Sequence, residues 1–146
     1  MTNRTIKRMF DACYQAKRIR ELLPPLPDGV LPSYIQYLDV IHMLEKKDIP
    51  VKISDISDAL NLPRPGVTRT IKEMEKKGYL QKTASPEDGR VTYITATESG
   101  RKLHQKYDKD YFTDLAPYMD VISEEEAENM IQTIEKFYQI MCERRA

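Results

Sequence analysis

The sequence has little of what builds most enzymes and secreted proteins. Its 146 residues include two cysteines, Cys13 and Cys142, near opposite ends and without the close spacing of metal-ligand pairs. In a reducing compartment such residues are free thiols and not a structural bridge. The two histidines, His42 and His104, stand alone, with no second histidine four residues on and no cysteine nearby, so no metal site is expected. No glycine-rich phosphate loop, nucleophile elbow or metal cluster occurs, although serine, histidine and aspartate are all present. The expectation is a protein that is not an enzyme and carries no cofactor. No apolar run approaches the roughly 20 residues that span a bilayer, and Met1-Thr2-Asn3-Arg4 leads into an amphipathic stretch in place of a signal-peptide core. A cytoplasmic protein with no membrane partner follows as an expectation. Neither an internal repeat nor a low-complexity tract is found.

Net charge is missing too, since 23 basic and 23 acidic residues cancel. Taken alone, neutrality argues against a polyanionic partner. The distribution reverses that argument. Residues 1–20 hold Arg4, Lys7, Arg8, Lys17, Arg18 and Arg20 against Asp11, and residues 64–77 hold Arg64, Arg69, Lys72, Lys76 and Lys77 against Glu73 and Glu75. Much of the balancing acid is the cluster Asp120, Glu124, Glu125, Glu126 and Glu128. Charge segregated in this way presents a positive face to phosphates while the molecule stays neutral. With 40% hydrophobic and 32% charged residues the chain is globular in type, yet polar enough that its long helices need a partner to cover them.

Periodicity supplies the elements. Ile6, Met9, Phe10, Cys13, Ala16, Ile19 and Leu23 recur at spacings of three and four, which predicts a first helix that ends at Pro24-Pro25. Residues 24–29 read as a stiff linker. A second helix is expected from an N-cap at Ser33 to about Lys47, followed by a short strand at Val51-Lys52-Ile53. Ser54 then caps a short helix that Asn61-Leu62-Pro63 breaks. A further helix from about Arg64 to Lys77 buries Val67, Ile71 and Met74, with Pro65 in its first turn and Gly78 as its left-handed cap. Two helices around a tight turn form a helix-turn-helix unit. Tyr79–Ala84 and Arg90–Ala96 flank the turn Ser85-Pro86-Glu87-Asp88-Gly89 and predict a hairpin. Thr97 caps a helix carrying the ladder Leu103, Tyr107, Tyr111 and Leu115 to near Pro117, and Ser123 with Glu126 forms a capping box for the last helix.

The segments Val67-Thr68-Arg69, Glu75-Lys76-Lys77-Gly78-Tyr79-Leu80, Asp88-Gly89-Arg90 and Thr97-Glu98-Ser99-Gly100, in this register, resemble the recognition helix and wing of the MarR family, the multiple-antibiotic-resistance regulators. The likeness covers nearly the whole chain in element order and its middle third in motif. Pro65-Gly66 departs from the usual opening of the recognition helix, and Ala96 stands where the family has leucine. The resemblance implies a mainly α fold with a small β wing, a winged helix-turn-helix flanked by N- and C-terminal dimerisation helices. It implies one domain over 1–146, with a DNA-binding lobe at 33–97 and dimerisation helices at 1–24 and 98–146. The implied function is sequence-specific binding of double-stranded DNA by a homodimer on a pseudo-palindromic operator, as a ligand-responsive repressor. A winged helix used for protein partners is the alternative.

On this reading the DNA-contacting residues are Arg64, Pro65, Gly66, Thr68, Arg69, Thr70, Lys72 and Lys76 on the recognition helix, with Asp88 and Arg90 on the wing. Arg64 or Arg69 suits bidentate contact to guanine, Thr68 a base edge or phosphate, and Lys72 and Lys76 phosphates. Arg90 is expected at the wing tip, oriented by Asp88. Gly66 either lets DNA approach the backbone or marks close packing against the preceding helix. Tyr34, Tyr37, Tyr107 and Tyr111 fall on helices that in this family surround a pocket for a small aromatic ligand, although core packing is the plainer role for a tyrosine. Cys13 lies on the apolar stripe of the first helix and is expected as a small buried hydrophobe.

Overall fold

Helix α1 (Asn3–Glu21) starts where the Thr2 hydroxyl accepts the Thr5 amide at 3.2 Å, satisfying one of the amides that a first turn leaves open. It stops before Pro24-Pro25, as proline chemistry requires. None of its residues is buried. In the linker that follows, Gly29 adopts the left-handed conformation (φ 78°), and Leu26 and Val30 reach the core. The computed structural model describes residues 1–145, in two compact units, Met1–Tyr107 and Asp108–Ala146.

The first unit holds the core. Helix α2 (Pro32–Lys46) buries Tyr34, Tyr37, Leu38 and Ile41, the three- and four-residue spacing of one helical face. Its N-cap is Leu31 and not Ser33, because Pro32 takes the first helical position, where a missing amide costs nothing and φ is already set. Helix α3 (Ile53–Leu60) begins earlier than expected and displaces the predicted strand at 51–53. The Asp55 carboxylate accepts the Lys52 amide at 2.9 Å and starts the helix there, so Ser54 lies inside the first turn. What remains of a strand is one hydrogen bond, from the Ile94 amide to the Val51 carbonyl at 2.8 Å. Asn61, left-handed at φ 51°, ends α3, and the Ser57 hydroxyl donates to the Leu62 carbonyl, bracing the turn.

Helix α4 (Arg64–Lys76) buries Val67, Ile71 and Met74 completely, each worth roughly 1.5–3 kcal/mol of transfer free energy. Gly78 at φ 84° turns the chain out of α4 and into β1 (Leu80–Ala84), which pairs antiparallel with β2 (Thr92–Ala96) from Leu80 opposite Ala96 to Ala84 opposite Thr92. Leu80 and Ile94 point inward. Thr97 caps α5 (Glu98–His104) by accepting the Gly100 amide at 3.1 Å, and it ties that cap to the exit of α4 by donating to the Gly78 carbonyl. Gly100 explains itself here. A Cβ at this position would overlap the Tyr79 carbonyl oxygen, so only glycine lets α5 sit this close.

The single helix expected from Thr97 to Pro117 is broken. A π-helical run, Gln105–Asp110, follows α5, and the boundary between the units falls inside it. In the second unit α6 (Tyr111–Leu115) tightens into a 3-10 turn, Ala116–Met119, that accommodates Pro117. Helix α7 (Glu124–Glu143) opens with the expected capping box: Ser123 Oγ accepts the Glu126 amide at 3.1 Å and the Glu126 carboxylate accepts the Ser123 amide at 2.9 Å. Helix α7 has no buried residue.

Candidate nucleic-acid interface

The amphipathic pattern of α4 fixes which of its side chains face outward. Burial of Val67, Ile71 and Met74 leaves Arg64, Pro65, Arg69, Lys72 and Lys76 exposed, with Gly66, Thr68 and Thr70 partly so. Pro65, Thr68, Arg69, Lys72, Glu73 and Lys76 line one open hollow of about 380 Å³ along this face. Arg64, Arg69, Lys72 and Lys76 make no ion pair or side-chain hydrogen bond among the described residues. Their charge is therefore not neutralised by a direct partner among the described residues. Gly66 has open space where a Cβ would stand, and its φ is unexceptional. Close packing against α3 is thus not the reason for glycine at this position.

The wing loop is held by its own backbone. Ser85 Oγ accepts the amides of Glu87 and Asp88 at 3.3 and 3.4 Å, and the Ser85 amide donates to the Val91 carbonyl at 2.8 Å. The Asp88 carboxylate accepts the backbone amide of Arg90 at 3.0 Å. Asp88 therefore fixes the loop and not, as expected, the Arg90 guanidinium, which stays exposed. Asp and Asn favour this arrangement because their short side chains reach an amide two residues ahead.

One polar cluster lies beneath the end of α4 and is not legible in the sequence. Lys77 Nζ donates to the Gly29 carbonyl at 2.6 Å and to the Tyr34 hydroxyl at 3.0 Å, and the Tyr34 hydroxyl donates to Glu73 at 3.3 Å. The ammonium also lies 5.1 Å from the centre of the Tyr34 ring. The hydrogen bond to Tyr34 holds the Lys77 pKa above its ordinary value. Tyr34 is fully buried, with its hydroxyl and ring already engaged. Tyr37 is likewise a core residue. Tyr107 packs half-buried on the same core, whereas Tyr111 belongs to the second unit. Core packing accounts for Tyr34 and Tyr37.

The histidines, isolated along the chain, are neighbours in space. Their rings lie 5.0 Å apart, and buried His104 places Nε2 3.1 Å from Asp39 Oδ1, joining α5 to α2. Only the packing of α2 on α5 brings them together. Cys13, expected to be buried, is exposed, as is Cys142. Much of the stripe that carries Cys13 is exposed, Ile6, Phe10 and Ile19 among it.

A short helix, a tight turn, an exposed basic helix and a two-stranded wing define a winged helix-turn-helix. Comparison with known proteins agrees. Residues 28–91 match the MarR family model. The chain is 29% identical over 108 residues to the HTH-type transcriptional regulator MhqR of Bacillus subtilis, covering 74% of this chain and 72% of that protein. It is 33% identical over 82 residues to the organic hydroperoxide resistance transcriptional regulator of the same organism, over 56% of this chain and 54% of that one. Among solved structures, Streptococcus pneumoniae FabT in complex with DNA has the same fold, with a TM-score of 0.68 at 23% identity over 97% of this chain and 99% of FabT.

Proposed function

We propose that this regulator acts in the cytoplasm as a homodimeric repressor that occupies a pseudo-palindromic operator, and that it catalyses no reaction. The observation that carries the DNA reading is the face of α4, four cations exposed and unpaired among the described residues. Unpaired surface cations are free to displace counterions from phosphates, the largest sequence-independent term in DNA affinity. In this reading α4 enters the major groove with its N-terminal turn leading, so that Arg64, Pro65, Gly66, Thr68, Arg69 and Thr70 meet base edges or the adjacent backbone, and Lys72 and Lys76 meet phosphates. The wing carries Arg90 to the neighbouring minor groove, with Asp88 shaping the loop. FabT and Staphylococcus aureus MepR, which share the fold, have been solved in complex with DNA, and this supports a DNA partner.

Dimerisation is supported by the helices outside the reading lobe. Helix α1 exposes Ile6 and Ile19, and α7 exposes Met130, Ile131, Ile134, Ile140 and Met141. Apolar faces of this extent ask for cover. Release from DNA then requires only an event that changes the spacing of the two lobes, because both half-sites are filled together only at the matching spacing. A small aromatic ligand would be one such trigger, although Tyr34, already bonded through its hydroxyl, offers it nothing.

The test is titration of a fragment from the gene's own upstream region against scrambled DNA, at several salt concentrations. Arg90→Ala is expected to weaken operator binding by roughly 1–3 kcal/mol and to lower the salt slope by about one, with the central sequence preference intact. Arg69→Ala should instead relax the preference at particular base pairs. Equal affinity of the parent for operator and scrambled DNA would support the protein-partner reading and end this one.

A further inference from the structure

Helix α4 is pinned at its C-terminal end by a chain of hydrogen bonds that begins outside the helix-turn-helix. The chain runs from the Gly29 carbonyl to Lys77 Nζ, on to the Tyr34 hydroxyl, and back to Glu73. Glu73 and Lys77 are one helical turn apart, so the network grips α4 and its cap residue at two points. Its other anchor, Gly29, sits in the linker that connects α1 to the reading lobe. That linker is a stiff support. Pro24, Pro25 and Pro27 each hold φ near one value, Val30 is seated in the core with Leu26 half-buried against it, and the Val30 amide bonds the Pro27 carbonyl at 3.0 Å. The left-handed φ of Gly29 fits the turn that leaves its carbonyl on the ammonium.

We infer that Lys77 is a positioning residue: it transmits the position of the α1–α2 linker to the recognition helix and thereby sets the spacing at which the two lobes of a dimer meet DNA. This rests on the dimeric DNA-binding reading above. The lever is long enough to matter. A helix of 13 residues is about 20 Å long, and a slack of about 5° at its far end displaces its N-terminal turn by roughly 2 Å. Base contacts do not survive such a displacement, since a hydrogen bond weakens sharply a few tenths of an ångström beyond its normal length. Lys77 is exposed and tied to a carbonyl and a hydroxyl, so its ammonium is already engaged and differs from those of Lys72 and Lys76.

The experiment compares the parent with Lys77→Met, which keeps the stem and loses the ammonium, with Lys77→Arg, and with Tyr34→Phe, which removes the bridging hydroxyl without changing charge. Each is titrated against the operator at several salt concentrations, and against operators with one base pair added or removed between half-sites. Lys77→Met is expected to bind the operator roughly five- to twenty-fold more weakly, in the lower range of coupling effects, with the salt slope unchanged. Its discrimination against the altered spacings should narrow by roughly three-fold or more, because a loosened lobe accommodates them. Tyr34→Phe should shift both quantities in the same direction, and Lys77→Arg should restore most of the parent's behaviour. A salt slope lower by about one in Lys77→Met, with Tyr34→Phe silent, would make Lys77 a phosphate contact and overturn the inference. Unchanged spacing discrimination would reduce the network to an ordinary structural tie and overturn it as well. If the parent itself fails to prefer its operator over scrambled DNA, the DNA reading falls and takes this inference with it.

Discussion

At Gly66 folding and the proposed DNA contact make different demands on one position. Glycine in a helical turn costs up to about 1 kcal/mol relative to alanine, and nothing inside the chain compensates, since a methyl group there would meet open space. Gly66→Ala is therefore expected to raise folding stability by as much as about 1 kcal/mol, through helix propensity and a less flexible unfolded chain. Operator affinity should fall, because the methyl group would stand between the α4 backbone and DNA. Thermal melts paired with operator titrations check this, and a variant both more stable and equally tight would show that DNA does not approach Gly66. Asp88 teaches a related lesson. Its carboxylate serves a backbone amide, so its contribution to any DNA contact runs through the shape of the wing loop.

Helices α5 and α7 are defined at their N-termini by side-chain caps, with different consequences. At α5 the Thr97 cap and the close approach of Gly100 to the Tyr79 carbonyl lock the helix onto the exit of α4. Gly100→Ala is expected to destabilise the fold by roughly 1–3 kcal/mol, the usual cost of forced overpacking. A denaturant midpoint equal to the parent's would show that α5 does not bear on that turn. At α7 the backbone and hydroxyl hydrogen bonds from Ser123 lower the Glu126 pKa below 4.5. A carboxylate with a depressed folded pKa contributes stability above its unfolded pKa, and that contribution is lost as pH falls through the folded value. Glu126→Gln should thus reduce the helicity of α7 at neutral pH, and the difference from the parent should vanish on acidification well below pH 4.5. Circular dichroism across that range is the measurement; a difference that persists unchanged in acid would assign the effect to something other than the carboxylate.

The molecule as a whole combines zero net charge with an exposed basic helix and two helices that expose apolar side chains. In the proposed dimer a second copy covers α1 and α7, and the gain in stability depends on protein concentration. Light scattering at micromolar concentration is expected to give twice the chain mass of 17.1 kDa, and a stable particle at the chain mass would refute the dimer. On the proposed DNA reading, neutrality overall also limits non-specific attraction, leaving affinity to the few cations placed on α4 and the wing.

How much of this is legible from residue order depends on the range of the interactions involved. Helices α1, α4 and α7 and the wing hairpin follow from local rules: apolar residues at helical spacing, prolines where an amide is not needed, a serine–glutamate capping box, and a Ser-Pro-Glu-Asp-Gly turn between β-rich runs. The exposed cations of α4 follow as well, because burying Val67, Ile71 and Met74 fixes the opposite face. Where two local rules compete, order alone does not decide between them. Ser33 and Pro32 both start a helix, and Asp55 outcompetes Ser54 by reaching back to an amide. The π-helical run at 105–110 lies within an unbroken three- and four-residue apolar spacing of the sequence, so periodicity does not detect it. The contacts of Lys77 with Gly29, of His104 with Asp39 and of Gly100 with Tyr79 join segments far apart in the chain. They exist only once the helices pack, because hydrogen bonding and steric exclusion act over a few ångströms in space, whatever the separation along the sequence.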